Sequence, residues 1–166
     1  IGATEGVSHF NGEKFIPFLF FFSMVENQQH MLSDKLVFKI IEDKNGTMWF
    51  VTDGNGIFKY KNGEFIHLTT KNGLTDNNTA DILEDKQGNI WIGTYGGGLN
   101  KLDRSTDKFS RFQFKENDST SISSNATWSL ALDDEGKLWI GTFGGGVNVL
   151  NLNNQKFTYY KNNPDD

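Results

Sequence analysis

The sequence predicts an all-β fold of four-stranded antiparallel meanders, three of them complete and one partial. Three observations carry this. Glycine supplies 18 of the 166 residues and proline only 2, while 15 Phe and 4 Trp stand out in a chain that is 36% hydrophobic. Few aliphatics with many aromatics and glycines favour short strands and tight turns over helices. A motif recurs in Trp49–Tyr60 (WFVTDGNGIFKY), Trp91–Leu102 (WIGTYGGGLNKL) and Trp139–Leu150 (WIGTFGGGVNVL), its tryptophans 42 and 48 residues apart. The flanks repeat as well. Asp43, Asp85 and Asp133 stand six residues before each Trp, and Gly46, Gly88 and Gly136 three before.

The elements follow in order within each repeat. Strand A is Val37–Glu42, Thr79–Glu84 or Thr127–Leu132. An Asp-x-x-Gly turn leads into strand B, which carries the Trp and ends at Thr52, Thr94 or Thr142. A Gly-rich turn opens strand C, and a turn of Asn, Asp and Gly opens strand D with Phe65, Phe109 or Phe157. Such residues tolerate the positive φ that tight hairpins need. Ile1–Phe10 and Phe15 match the same pattern from just after the missing Trp, so this first repeat lacks its strand A. The expected count is fifteen strands. Runs such as FKII and WSLAL do not alternate apolar with polar, so both faces of each sheet must be covered.

Four-stranded meanders recurring every 42–49 residues are the signature of β-propeller blades stacked side by side. A sandwich of unrelated hairpins would not place Trp, Asp, Gly and Phe at matched offsets. The blades are expected at about 1–18 (partial), 36–68, 79–112 and 126–160, with no second domain. Such an arc would leave two blade faces open, which favours continuation of the chain in both directions or self-association. The start at Ile1 rather than Met also suggests an excised or processed segment.

Composition narrows the function classes. With no cysteine there is no disulfide scaffold, Cys-ligated zinc or thiol catalysis. The net charge of −5 and the absence of a basic block argue against nucleic acid as a partner. The apolar run IPFLFFFSMV is too short to cross a bilayer, and Glu13 and Lys14 before it do not suit a signal peptide, so direct membrane insertion is not expected. His9, His30 and His67 lack metal-ligand spacing, so no metal and no cofactor is expected. The pairs Glu42-Asp43, Glu84-Asp85 and Asp133-Asp134 invite comparison with glycosidase carboxylates, but their repetition fits turn chemistry better. Gly96–Gly98 and Gly144–Gly146 lack the following Lys and helix of a phosphate loop. No catalytic residue is assigned.

The phrases DNNTADILEDKQGNIWIGTYGGGLNKLD and SSNATWSLALDDEGKLWIGTFGGGVNVLN resemble the two-component regulator propeller repeat. The pattern is an Asn in the linker, a hydrophobic strand A, Asp-x-x-Gly-x-(Leu/Ile)-Trp-Ile-Gly-Thr and a Gly-rich turn. The repeat around Trp49 departs from it at Val51 and at Asp53-Gly54-Asn55-Gly56. The resemblance implies the periplasmic sensor region of a hybrid two-component histidine kinase and response regulator, of the kind found in Bacteroidetes. It also implies an oligosaccharide as the sensed ligand. The kinase itself has no counterpart in this chain. The alternatives are a scaffold in a secretion or surface assembly and, third, a propeller lyase.

Antiparallel strands put the D–A linkers and B–C turns on one face. Loops that vary in length and chemistry carry function more often than fixed turns. Candidate ligand residues on that face are Tyr95 and Phe143, at equivalent B–C turn positions, with Asp53 and Asn55 in the matching turn. Aromatic rings stack on the C–H faces of sugars, and polar groups read hydroxyls. Trp49, Trp91 and Trp139 are expected between blades. Trp128, whose equivalents are Phe38 and Ala80, is an expected core filler, with an exposed stacking role as the alternative.

Overall fold

The computed structural model describes residues 2–3, 6–10, 12–13, 15–17, 32 and 35–161. His30 and most of the apolar run from Ile16 lie outside them. Among the described residues are fifteen strands. The first sheet is β1 (Gly2–Ala3), β2 (Gly6–Phe10) and β3 (Phe15–Pro17). The second is β4 (Val37–Glu42), β5 (Met48–Thr52), β6 (Ile57–Lys61) and β7 (Glu64–Leu68). The third is β8 (Thr79–Glu84), β9 (Ile90–Thr94), β10 (Gly98–Asp103) and β11 (Lys108–Phe112). The fourth is β12 (Thr127–Leu132), β13 (Lys137–Thr142), β14 (Gly146–Asn151) and β15 (Lys156–Tyr160). Strand order follows chain order in every sheet, as a meander requires. The fold is therefore all-β, a series of propeller blades. Blades 1 to 4 below refer to these sheets in order.

The core lies between blades. Trp49 of β5 is buried with Leu74, Ile82, Ile90, Ile92 and Leu102 of blade 3 and its linker. Trp91 of β9 packs the same way on Leu130, Leu138, Ile140 and Leu150 of blade 4. This explains the unbroken apolar strands: all five residues of β9 are buried, because a blade covers each face. Leu32, Leu74 and Ile122 recur in the linkers before strand A, and all three are buried.

Each Trp is oriented by the turn Asp six residues earlier. The indole Nε1–H donates to Asp43, Asp85 and Asp133 at 2.7, 2.8 and 2.8 Å. The other oxygen of each carboxylate accepts backbone N–H groups in the A–B turn, from Asn45 and Thr47, from Gln87 and Asn89, and from Lys137. One side chain thus closes a hairpin and fixes a core ring. The lysine after the Asp joins blades: Lys44 Nζ donates to the carbonyls of Asp85 and Lys86, and Lys86 Nζ to that of Asp134.

These carboxylates make stability acid-sensitive. Burial pushes the Asp43 carboxyl up, but the Trp49 indole, the Thr47 and Asn45 amides and Arg104, 2.8 Å away, together hold it below the ordinary 3.8. Asp133 is also held low, first by Trp139 and then by the Lys137 amide. A lowered folded pKa means the unfolded chain takes up the proton first on acidification. The stabilisation is present above the ordinary aspartate value and is lost as pH falls through the folded one. We expect the urea midpoint to drop between about pH 5 and pH 3, and Asp43→Asn to flatten that slope. A slope unchanged by the substitution would contradict this account.

Trp139 departs from the expected burial. It is 37% exposed and stacks at 6.0 Å and 10° on Tyr160, itself 58% exposed. The reason is positional. Trp49 and Trp91 are covered by the strands of the following blade, and no described strand covers this face of blade 4.

Candidate ligand-binding face

Every complete strand A begins with the same irregularity. The register with strand B shifts between Val37 and Lys39, between Thr79 and Asp81, and between Thr127 and Ser129. The residue inside each bulge is Phe38, Ala80 or Trp128. A bulge leaves its extra residue out of the ladder and re-aims the side chain, and such bulges are common beside functional sites.

The B–C turns meet these bulges. Phe143 N–H donates to the Ala126 carbonyl, Tyr95 N–H to that of Asn78 and Asp53 N–H to that of Leu36, at 2.9 to 3.0 Å. A Thr at the end of each strand B braces the turn: Thr52, Thr94 and Thr142 Oγ1 donate to the carbonyls of Gly56, Gly98 and Gly146. The linkers are pinned from strand C. Buried Asn100 accepts from Thr75 N–H and donates to Thr75 Oγ1, and Asn148 does the same with Ser123. The scaffold under the loops is therefore rigid.

On this scaffold four rings form a continuous ladder across three blades. Phe38 meets Tyr95 edge-on at 6.4 Å, and Tyr95 meets Trp128 edge-on at 5.5 Å. Trp128 stacks on Phe143 at 5.4 Å and 17°. Ala80 presents only a methyl group at the middle bulge, and Tyr95 of the same blade reaches the bulge residues on both sides. Large apolar groups in such a row are unusual at a surface: Phe38 is 44%, Trp128 53% and Phe143 68% exposed.

The structure brings Tyr95, Trp128 and Phe143 together. Trp128 is not the core filler expected from the sequence, because the bulge turns it out of the sheet. Asp53 is exposed at the turn position equivalent to Tyr95 and Phe143. Asn55 lies in the same turn, where its Nδ2 donates one hydrogen bond to the Asp53 carbonyl and its backbone carbonyl accepts from His67 Nε2 at 2.6 Å. His67 lies on β7 and stacks on Phe58 at 4.1 Å, whereas His9 lies on β2, so the two occupy different strands of different blades. Phe38 completes the ladder but was not a sequence candidate. Its equivalence to Trp128 was visible; the bulge that exposes both positions was not.

The repeats have known counterparts. The sequence pattern of the two component regulator propeller matches residues 31–54, 73–96 and 121–144. These three segments are two component regulator propeller repeats. Each matched segment runs from a linker through strands A and B to the first residues of the B–C turn, and so contains both ladder positions of its blade. Solved structures agree. The extracellular domain of a protein described as a hybrid two component system from B. thetaiotaomicron is 28% identical over 75% of this chain and 18% of its own, with a TM-score of 0.68. A second such domain from that organism is 21% identical over 98% of this chain and 22% of its own, with a TM-score of 0.73, and supports the propeller fold. PorZ, a surface component of the type-IX secretion system of Porphyromonas gingivalis, is 26% identical over 70% of this chain and 17% of its own, with a TM-score of 0.54. The propeller repeats here thus span about a fifth of the length of these proteins. No protein of curated function matches the chain significantly.

Proposed function

We propose that this chain is a non-catalytic, ligand-binding part of an extracytoplasmic sensor propeller, on the periplasmic side of the inner membrane. Its parent would be a hybrid two-component histidine kinase that reports an oligosaccharide. The observation that carries the reading is the exposed ladder Phe38–Tyr95–Trp128–Phe143 on a rigid loop face. Sugar C–H faces stack on such rings, and polar groups beside them, here the exposed Asp53, read the hydroxyl groups. The likeness to extracellular domains of hybrid two-component systems supports the placement and the parent.

Calorimetric titration with a glycan panel tests this. At least one oligosaccharide should bind, and Trp128→Ala should weaken it by about tenfold or more, roughly 1.4 kcal/mol. Trp128 is half exposed, so the variant should keep its fold. Failure of every glycan to bind, or unchanged affinity in Trp128→Ala, would sink the proposal.

A second reading is a surface scaffold, favoured by the likeness to PorZ. Its distinguishing feature is the open face of blade 4, with Trp139 and Tyr160. Under this reading that face pairs with another blade, and the chain self-associates at high concentration. A monomer by light scattering at every concentration would count against it.

A further inference from the structure

Resting on the ladder as the ligand-binding surface, we infer that Asp81 is its positioning residue. One carboxylate clamps three successive blades beside their bulges, and so sets Phe38 and Trp128 against Tyr95.

The clamp is needed because strand A is an edge strand. β4, β8 and β12 belong to three different sheets, so no β-ladder fixes the spacing between them. Lys39, Asp81 and Ser129 hold equivalent positions in these strands, each closing the bulge. Asp81 of the middle blade has two acceptor oxygens and uses both. Its Oδ1 accepts from Ile82 N–H of its own strand at 2.7 Å, which locks the carboxylate in place. The same oxygen accepts from Lys39 Nζ of β4 at 2.6 Å. Oδ2 accepts from Leu130 N–H of β12 at 2.7 Å, in a buried bond. Hydrogen bonds to an ionised acceptor are short and strong, and a buried amide left without one is costly. The Leu130 bond is therefore the firmer grip. The Lys39 side chain is 38% exposed, so its ion pair contributes less.

The ladder depends on the spacing that this clamp sets. Phe38 is the residue before Lys39, and Trp128 lies two before Leu130. Tyr95 is fixed to blade 3 through the Asn78 carbonyl and stands between them. It meets Phe38 at 76° and Trp128 at 82°, so both contacts are edge-on and both cross a blade boundary. Edge-to-face contacts are directional, and a shift of β4 or β12 against β8 opens them. The Trp128–Phe143 stack lies within blade 4 and does not rely on the clamp. A binding surface shared by three blades is held ready only if the blades are held in place.

The test compares Asp81→Ala with Lys44→Met in the whole chain. Lys44 also ties blade 2 to blade 3, but through the Asp85 and Lys86 carbonyls at the A–B turn, away from the bulges. A merely structural role would make the two variants alike. We expect Asp81→Ala to weaken the Phe38–Tyr95 and Tyr95–Trp128 ring cross-peaks in NOE spectra and to keep that of Trp128–Phe143. Lys44→Met should keep all three. Asp81→Asn, which retains an oxygen for Leu130 N–H, should recover most of the Tyr95–Trp128 cross-peak. If Asp81→Ala does not fold, Lys39→Met releases blade 2 alone and should weaken only the Phe38–Tyr95 cross-peak. Calorimetry with four neutral sugars, maltohexaose, cellohexaose, xylohexaose and mannohexaose, reads the consequence for binding. The tightest of them should bind Asp81→Ala about fivefold or more weakly and Lys44→Met as before. Cross-peaks intact in Asp81→Ala, equal losses in Lys44→Met, or an unchanged hexasaccharide affinity in Asp81→Ala would each overturn the inference and leave the carbohydrate reading standing. Silence from these sugars and the wider glycan panel would overturn that reading, and the cross-peaks would still decide the role of Asp81.

Discussion

Trp91→Ala should lower the free energy of unfolding by about 3–5 kcal/mol, the cost of emptying a fully buried aromatic site. The ring is 0% exposed and sits between β9 and the apolar face of blade 4. Its loss also removes one of the two donors to Asp85 Oδ2, leaving Asn89 Nδ2 as the other. The same substitution at Trp139 should cost about 1.5 kcal/mol or less, because that ring is 37% exposed and its neighbour Tyr160 can spread over the gap. The two positions are equivalent in sequence, so the contrast isolates the contribution of a covering blade. Urea unfolding of both variants measures it. Equal losses would mean that the cores do not lie between blades.

Gly98→Ala should be nearly as damaging, at about 3 kcal/mol. Gly98 opens β10 at φ +80°, where an L side chain is strained, and an added Cβ would lie 2.4 Å from the Phe112 carbonyl oxygen. That oxygen belongs to the last residue of β11 and cannot retreat without breaking the sheet edge. Gly56 and Gly146 repeat the arrangement, with φ +71° and +72° and approaches of 2.3 Å to the Leu68 oxygen and 2.4 Å to that of Tyr160. Gly136 provides the control. It also has positive φ, but nothing lies within 4 Å of its would-be Cβ, so Gly136→Ala should cost only the backbone strain, about 1 kcal/mol. Similar losses at both positions would refute the steric account.

Most of the fold was legible because it is periodic. A Trp held by an Asp six residues earlier, a Gly at each turn and a Thr closing strand B are local devices, and their repetition makes them visible. What the sequence concealed depends on neighbours. Trp139 has the same local sequence as Trp91 yet differs in burial, because coverage comes from another blade. The candidate site was half legible. Tyr95 and Phe143 stand out as aromatics in Gly-rich turns. Phe38 and Trp128 lie inside strands that look uniformly buried, and only the register shift after Val37 and Thr127 reveals that they face outward.

The four tryptophans allow one direct measurement of the central claim, that ligand is held on the loop face. Trp49, Trp91 and Trp139 donate their indole N–H to Asp43, Asp85 and Asp133, whereas Trp128 lies in the ladder. In a ¹⁵N–¹H spectrum each indole gives its own resonance. Addition of the tightest-binding neutral oligosaccharide should move the Trp128 indole resonance and leave the other three in place. A shift at Trp139 with Trp128 unmoved would put the ligand on the open blade face instead, and would contradict the account.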